Sequence, residues 1–133
     1  MTGLILKLAP GERVLINGAV IENGDRRCRL TIKTPNTNIL QLKEAIHPDD
    51  VATPVARVCY DAQLLLSGDA EPAQGRRNLL RGIEQLSQVF DDRDSRTALN
   101  GATENVINGN IYRALCQLRS LLPREARIFA QIA

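Results

Sequence analysis

The chain has 133 residues, a length typical of one domain that buries its own core. Its 17 basic and 15 acidic side chains leave a net charge of +2, so the total charge does not indicate a nucleic-acid partner. Apolar residues make up 44%, which excludes a mainly disordered chain. No apolar stretch approaches the length of a membrane span, so we expect a cytoplasmic protein that does not contact a membrane.

The three cysteines are too far apart in the sequence to indicate a zinc site or a disulfide framework. Cys28, Cys59 and Cys116 are each predicted to lie on an apolar face, where cysteine behaves as a small hydrophobic residue. We therefore expect no metal and no other cofactor.

Up to residue 50 the apolar residues repeat with a period of two, which is typical of strands. Leu4, Leu6 and Leu8 alternate with other residues, and "RVLINGAVIENG" follows a Pro-Gly turn. Asn17-Gly18 is a strong hairpin signal, and Asn23-Gly24 repeats it. We predict four or five antiparallel strands arranged as a meander or a small barrel.

The stretch "DRRCRLTIKTP", residues 25–35, combines this alternation with positive charge. Its apolar residues occupy one face of the predicted strand, so Arg27, Arg29 and Lys33 project from the other. The next segment, "NILQLKEAI", is read as the last strand of the sheet, with Leu40 and Leu42 pointing inward.

After residue 50 the period is close to 3.6, which predicts helices. Thr53-Pro54 and Glu71-Pro72 are expected to begin the first two, and Gly68 to end the first. A third helix is predicted from about Ser95 to Ile107, a fourth from about residue 111, and a short last one from Pro123. The class is α+β: an antiparallel β region over residues 1–50, which carries the cationic strand, and a helical bundle over residues 51–133 for self-association or partner binding.

Catalysis has little support in these residues. The lone histidine, His47, lies in the loop signal "IHPDD", where a solvated or helix-initiating role is the more common one. Asp49-Asp50 could bind a metal, but adjacent carboxylates before a helix more often complement its dipole. No nucleotide-binding or hydrolase motif is present, so we expect no enzymatic activity.

The cationic strand face is the most informative local feature. Same-side residues of a strand are about 7 Å apart, close to the spacing of backbone phosphates. The candidate RNA-binding residues are the central Arg27, Arg29 and Lys33, extended from neighbouring strands by Lys7, Arg13 and Lys43. From chemistry alone, an ordinary solvated face is the favoured interpretation. Because all four aromatic residues lie after residue 50, such a sheet would contact RNA through phosphates and strand edges rather than by base stacking.

Long contiguous segments of the chain resemble a known family, and this resemblance shifts the balance from a solvated face toward an RNA surface, although it does not name these residues. "GLILKLAPGERVLINGAVIENGDRRCRLTIKTPN", "HPDD", "TPVARVCYDAQLLLSGD" and "RGIEQLSQVF" are similar to FlbT, a flagellin regulator of alphaproteobacteria. The resemblance implies a post-transcriptional repressor of flagellum biogenesis that binds the 5′ untranslated region of flagellin mRNA, represses translation and promotes degradation of the message. It also implies the small flagellar protein FlaF as a further partner.

A second similarity covers the first fifty residues, whose layout resembles the RNA-binding regulator CsrA. Leu4-Ile5-Leu6 match its opening strand, Gly11-Glu12 its turn and "KEAI" its closing segment. In this resemblance Lys43 takes the place of an arginine used for RNA binding, and Leu8 that of a second arginine, where the sequence departs. CsrA-like sheets form intertwined dimers, which implies a homodimer or a higher oligomer here.

The sequence therefore predicts an RNA-binding repressor whose sheet holds the flagellin mRNA leader and blocks access of the ribosome. The alternative is a protein-interaction adaptor that binds FlaF or flagellin through an exposed aliphatic stripe of the helical region.

Overall fold

The computed structural model describes residues 4–16, 19–34, 39–40 and 46–132. In these residues five strands come first: β1 (Leu4–Leu8), β2 (Arg13–Ile16), β3 (Ala19–Glu22), β4 (Cys28–Ile32) and β5 (Ile39–Leu40). A short 3₁₀ helix and five α-helices complete the described part: Pro48–Asp50, α1 (Pro54–Ser67), α2 (Pro72–Ser87), α3 (Arg93–Ile107), α4 (Ile111–Arg119) and α5 (Leu122–Ile132). The predicted α+β class, with strands before residue 50 and helices after it, is confirmed.

The strands form two small antiparallel sheets. In the first, β1 pairs with β4; in the second, β2 lies between β3 and β5. The meander prediction is therefore wrong for β4, which leaves its neighbour in sequence and pairs with the first strand. The predicted turn Asn17-Gly18 and the side chain of Leu42 lie outside the described residues, although β2 and β3 on either side of that turn do pair.

Asn23 explains why the chain changes sheets after β3. Its side-chain amide donates to the carbonyl oxygens of Ala9 and Arg26, each at 2.8 Å, and its backbone N–H donates to the carbonyl of Glu12 at 2.9 Å. These hydrogen bonds hold the β3–β4 connection against the turn between β1 and β2. Asn23-Gly24 thus joins the two sheets instead of closing a second hairpin.

The molecule has three layers, because β2 is buried on both of its faces. Val14 faces the first sheet and packs with Leu6 and Leu8, whereas its neighbour Leu15 faces the helices and belongs to their core. The outer face of the β1–β4 sheet is thereby left to solvent on the side of the molecule away from the helices.

The helices begin and end where capping chemistry places them. The Thr53 hydroxyl accepts from the backbone N–H of Ala56 at 3.2 Å, and the Glu71 carboxylate accepts from two backbone N–H groups of α2. Gly68 ends α1 with φ 82°, a left-handed conformation that glycine adopts without strain. The predicted starts of α1 and α2 are confirmed, and α3 begins at Arg93, two residues before its predicted start at about Ser95.

The cysteines show where the apolar pattern is informative and where it fails. Cys59 is fully buried in the helical core, and burial raises the pKa of its thiol to about 12. Cys28 is half-buried under the first sheet. Cys116 is exposed, so the prediction that it lies on an apolar face is wrong: Leu115 and Leu118 face the core, and the side chain between them points outward. Within the described residues, no helix combines the length and apolar character that crossing a membrane requires.

Candidate nucleic-acid interface

The outer face of the β1–β4 sheet carries two basic residues side by side. Lys7 lies directly opposite Arg29 in the antiparallel register, and Ile5 lies opposite Thr31 on the same face. All four side chains are exposed, while the small core between the sheets receives the alternating residues Leu6 and Leu8 of β1 and Cys28, Leu30 and Ile32 of β4; Leu4, at the start of β1, is exposed. Directly opposite residues have Cβ atoms about 5 Å apart, so two cations share one small area. We call this face, with Arg27 and Lys33 at its ends, the basic face.

A groove adjoins the basic face where β1 ends and β4 begins. Its volume is about 380 Å³, and its lining includes the three basic residues Lys7, Arg27 and Arg29. Ala9 and Glu12, from the turn between β1 and β2, complete this side of the molecule. The carboxylate of Glu12 partly offsets the positive charge, so the groove holds three cations and one anion.

Sequence reasoning missed Glu12, because nothing local indicates that the first turn lies beside β4. That neighbourhood arises only from the long-range pairing of β1 with β4 and from the hydrogen bonds of Asn23.

The central cations of the basic face are available for a ligand. Arg27, Arg29 and Lys33 are exposed and form no ion pair or side-chain hydrogen bond with any residue that the structure describes. A guanidinium that is not held by a carboxylate of its own chain can present its planar set of donors to a phosphate. The structure therefore keeps together four of the six residues that the sequence singled out: Lys7, Arg27, Arg29 and Lys33.

Arg13 does not lie on the basic face. It shares the helix-facing side of β2 with Leu15, and its guanidinium pairs with the carboxylates of Glu22 at 2.9 Å and Asp50 at 3.9 Å. The sheet of β2 separates it from the basic face. Lys43, the remaining candidate, and most of the "KEAI" segment lie outside the described residues.

Two further sequence interpretations concern ring side chains. His47 caps the 3₁₀ helix: its Nδ1 accepts from the backbone N–H of Asp49 at 3.1 Å, which is the helix-initiating role expected for it. The aromatic residues Tyr60, Phe90, Tyr112 and Phe129 lie in the helical part, as predicted. The described residues of the basic face accordingly offer no aromatic ring on which a base could stack.

Comparison with known proteins shows to which family the chain belongs. A family model described as "Flagellar protein FlbT" matches residues 4–129. The chain belongs to the FlbT family. The resemblance found in the sequence is thus confirmed over the whole strand region and nearly all of the helical region.

Several FlbT relatives from Brucella match across almost the full chain. One, from Brucella abortus (strain S19), is 32% identical over 127 residues, covering 96% of this chain and 82% of the relative. Another, from Brucella anthropi, is 32% identical over 123 residues, covering 92% and 80%. Both are named "Probable flagellum biosynthesis repressor protein FlbT". No solved structure matches the chain significantly, so the CsrA-like layout of the first fifty residues stays a prediction.

Proposed function

We propose that this chain is a repressor of flagellum biosynthesis that binds the 5′ leader of flagellin mRNA through the basic face. Membership of the FlbT family and the names of the Brucella relatives support the repressor role. One observation mainly supports the RNA contact: Lys7 lies opposite Arg29 on the neighbouring strand, next to Arg27. Neither arginine is bound by a carboxylate of the residues that the structure describes. The proposed function is regulatory and non-enzymatic.

The contact would be made mainly to the RNA backbone. Residues on one side of β4 repeat about every 7 Å, so successive cations along the strand can each reach a different phosphate of a single strand. Lys7 adds a cation from the neighbouring strand. Phosphate contacts of this kind position a nucleic acid without reading its sequence. Protein held on the leader would block the ribosome and leave the message to nucleases, which accounts for both repression and degradation.

A direct test is the retention of a flagellin leader RNA by the purified protein at rising salt. We expect retention at low salt that weakens steeply as salt increases, because cations that neutralise phosphates release counterions. An unrelated RNA of equal length measures the part of binding that is independent of sequence. No retention of the leader even at low salt would contradict the proposal.

A protein-interaction adaptor is the second candidate. The observation in its favour is a set of large apolar side chains that the helical part leaves exposed: Val89, Ile107, Tyr112, Phe129 and Ile132. Stable co-purification of FlaF or flagellin with a protein that retains no RNA would favour this adaptor over the RNA-binding repressor.

A further inference from the structure

A second pocket lies on the other side of the β2–β3 hairpin, against α1. It has a volume of about 240 Å³, and we call it the ring pocket because His47 and Tyr60 both line it. Its apolar lining comes from both layers, with Leu15 and Val20 from the hairpin and Leu64 from α1. This volume is below the range of pockets that take drug-sized molecules, and it suits a single flat ring system.

Two buried polar side chains line the same pocket. Gln63 is 3% exposed, and its amide is fixed by two hydrogen bonds of 2.8 Å with the backbone N–H and C=O of Ile46. Among the residues that the structure describes, one N–H and one lone pair of that amide have no partner. Ser67 is 4% exposed, and its hydroxyl lies 2.7 Å from a carboxylate oxygen of Asp69. The hydroxyl still has lone pairs with which it can accept a hydrogen bond.

Of the two ring side chains in the lining, His47 is exposed and Tyr60 is half-buried. The Tyr60 hydroxyl has no hydrogen-bond partner within the part of the chain that the structure describes. His47 is oriented by its hydrogen bond from the N–H of Asp49, which uses Nδ1, and its Nε2 forms no hydrogen bond with any residue that the structure describes. The ring pocket thus combines flat side chains on which a ring can stack with donors and acceptors from fixed, buried groups. Proteins read unstacked RNA bases with this combination.

We propose that the ring pocket accepts one unstacked nucleobase of the RNA whose backbone lies on the basic face. This inference rests on the proposed function and deepens it, because it locates sequence reading at a site separate from the phosphate contacts. Tyr60 would stack on the base, and Gln63 and Ser67 would hydrogen-bond its edge. Pyrimidines and purines would differ in how fully they fill the pocket.

One strand of RNA can reach both sites. The groove beside the basic face is lined by Glu12, at the start of β2, whereas the ring pocket is lined by Leu15 and by Ala19, at the far end of the hairpin. The length of β2 and the thickness of one sheet layer together separate them by roughly 15–20 Å. A single strand covers that distance with a few nucleotides, passing the edge of β3, which has no neighbouring strand in its described sheet.

The test compares Tyr60→Leu with Tyr112→Leu in the full chain, by titration of the flagellin leader at two salt concentrations. Base–aromatic stacking of about 1–3 kcal/mol predicts that Tyr60→Leu weakens leader binding about 5-fold to 150-fold. The salt dependence should not change, because no phosphate contact is lost. Tyr112 is a matched control, since it is the other tyrosine of the chain and lies exposed on α4. Tyr112→Leu should bind as the wild type does.

A fluorescence measurement tests the contact without removing it. The chain has no tryptophan and two tyrosines, so Tyr60 is the only such emitter in a Tyr112→Phe protein. A base stacked on its ring should quench that emission when the leader is added, after correction for absorption by the RNA. In the reverse variant, Tyr60→Phe, the emission of Tyr112 should not respond.

The outcomes separate this inference from the function on which it rests. Wild-type protein that retains no leader would overturn the proposed function, and the ring pocket with it. Leader binding that is equal in wild type and in a folded Tyr60→Leu variant, with no quenching of Tyr60, would overturn the ring pocket alone. If Tyr60→Leu does not fold, the fluorescence measurement on the Tyr112→Phe protein decides alone, because it leaves Tyr60 and the other residues of the pocket unchanged. Leader binding without quenching of Tyr60 would refute the inference equally.

Discussion

The salt dependence of RNA binding tests the basic face most sharply. The perturbation is the double substitution Arg27→Ala and Arg29→Ala, which removes two exposed cations. Neither arginine pairs with a carboxylate of the residues that the structure describes. Neither side chain contributes to the core between the sheets, so the fold should be retained. The melting temperature of the double variant should therefore equal that of the wild type.

The expected size of the effect follows from the number of cations on the face. If Lys7, Arg27, Arg29 and Lys33 each contact one phosphate of a single strand, the slope of log affinity against log salt is about −2.8, at about −0.7 per contact. Raising salt from roughly 50 to 200 mM then weakens binding about 50-fold. With two contacts removed the slope is about −1.4, and the same change in salt weakens binding only about 7-fold.

The assay is a titration of labelled flagellin leader by fluorescence anisotropy at several salt concentrations. A variant with Arg76→Ala and Arg77→Ala supplies the control, because it removes two exposed arginines from α2, in the helical layer. It should keep the wild-type slope. The reasoning is refuted if the Arg27 and Arg29 variant is folded yet retains both the affinity and the slope of the wild type.

Further predictions concern the stability of the fold. Leu118→Ala, in the core with 0% exposure, should lower the free energy of unfolding by about 2–5 kcal/mol in urea denaturation, whereas the exposed Ile107→Ala should change it by less than about 0.5 kcal/mol. Thr53→Ala should cost about 1 kcal/mol by the same measurement because α1 loses its cap, and Thr53→Ser should restore it. Hydrogen bonds from the backbone N–H groups of α2, that of Gln74 above all, lower the pKa of Glu71 from its ordinary value of 4.5. The Glu71 carboxylate therefore stabilises the fold fully above that value, and this stabilisation is lost as pH falls through the lowered pKa. Glu71→Gln lacks this carboxylate. The urea midpoint of Glu71→Gln should therefore fall less over this acid range than the midpoint of the wild type.

The sequence by itself determined the class of the fold and most helix boundaries. The apolar residues repeat with a period of two before residue 50 and of about 3.6 after it, as the local geometry of strands and helices requires. These periods can be recognised without knowing any distant contact. Thr53 and Glu71 marked helix starts for the same reason, because a cap acts within three residues along the chain. The alternation also placed Arg29 on an outward face correctly.

Only the tertiary structure decided which residues share a surface. Alternation tells which side of a strand a residue occupies, but not which strand lies next to it, and β4 pairs with β1 rather than with β3. That pairing brings Lys7 opposite Arg29. From the sequence, Arg13 was expected to extend the same surface. In the structure it pairs instead with Glu22 and with Asp50, which is 37 positions away along the chain. Such pairings depend on how the layers stack, and a local pattern contains no information about them.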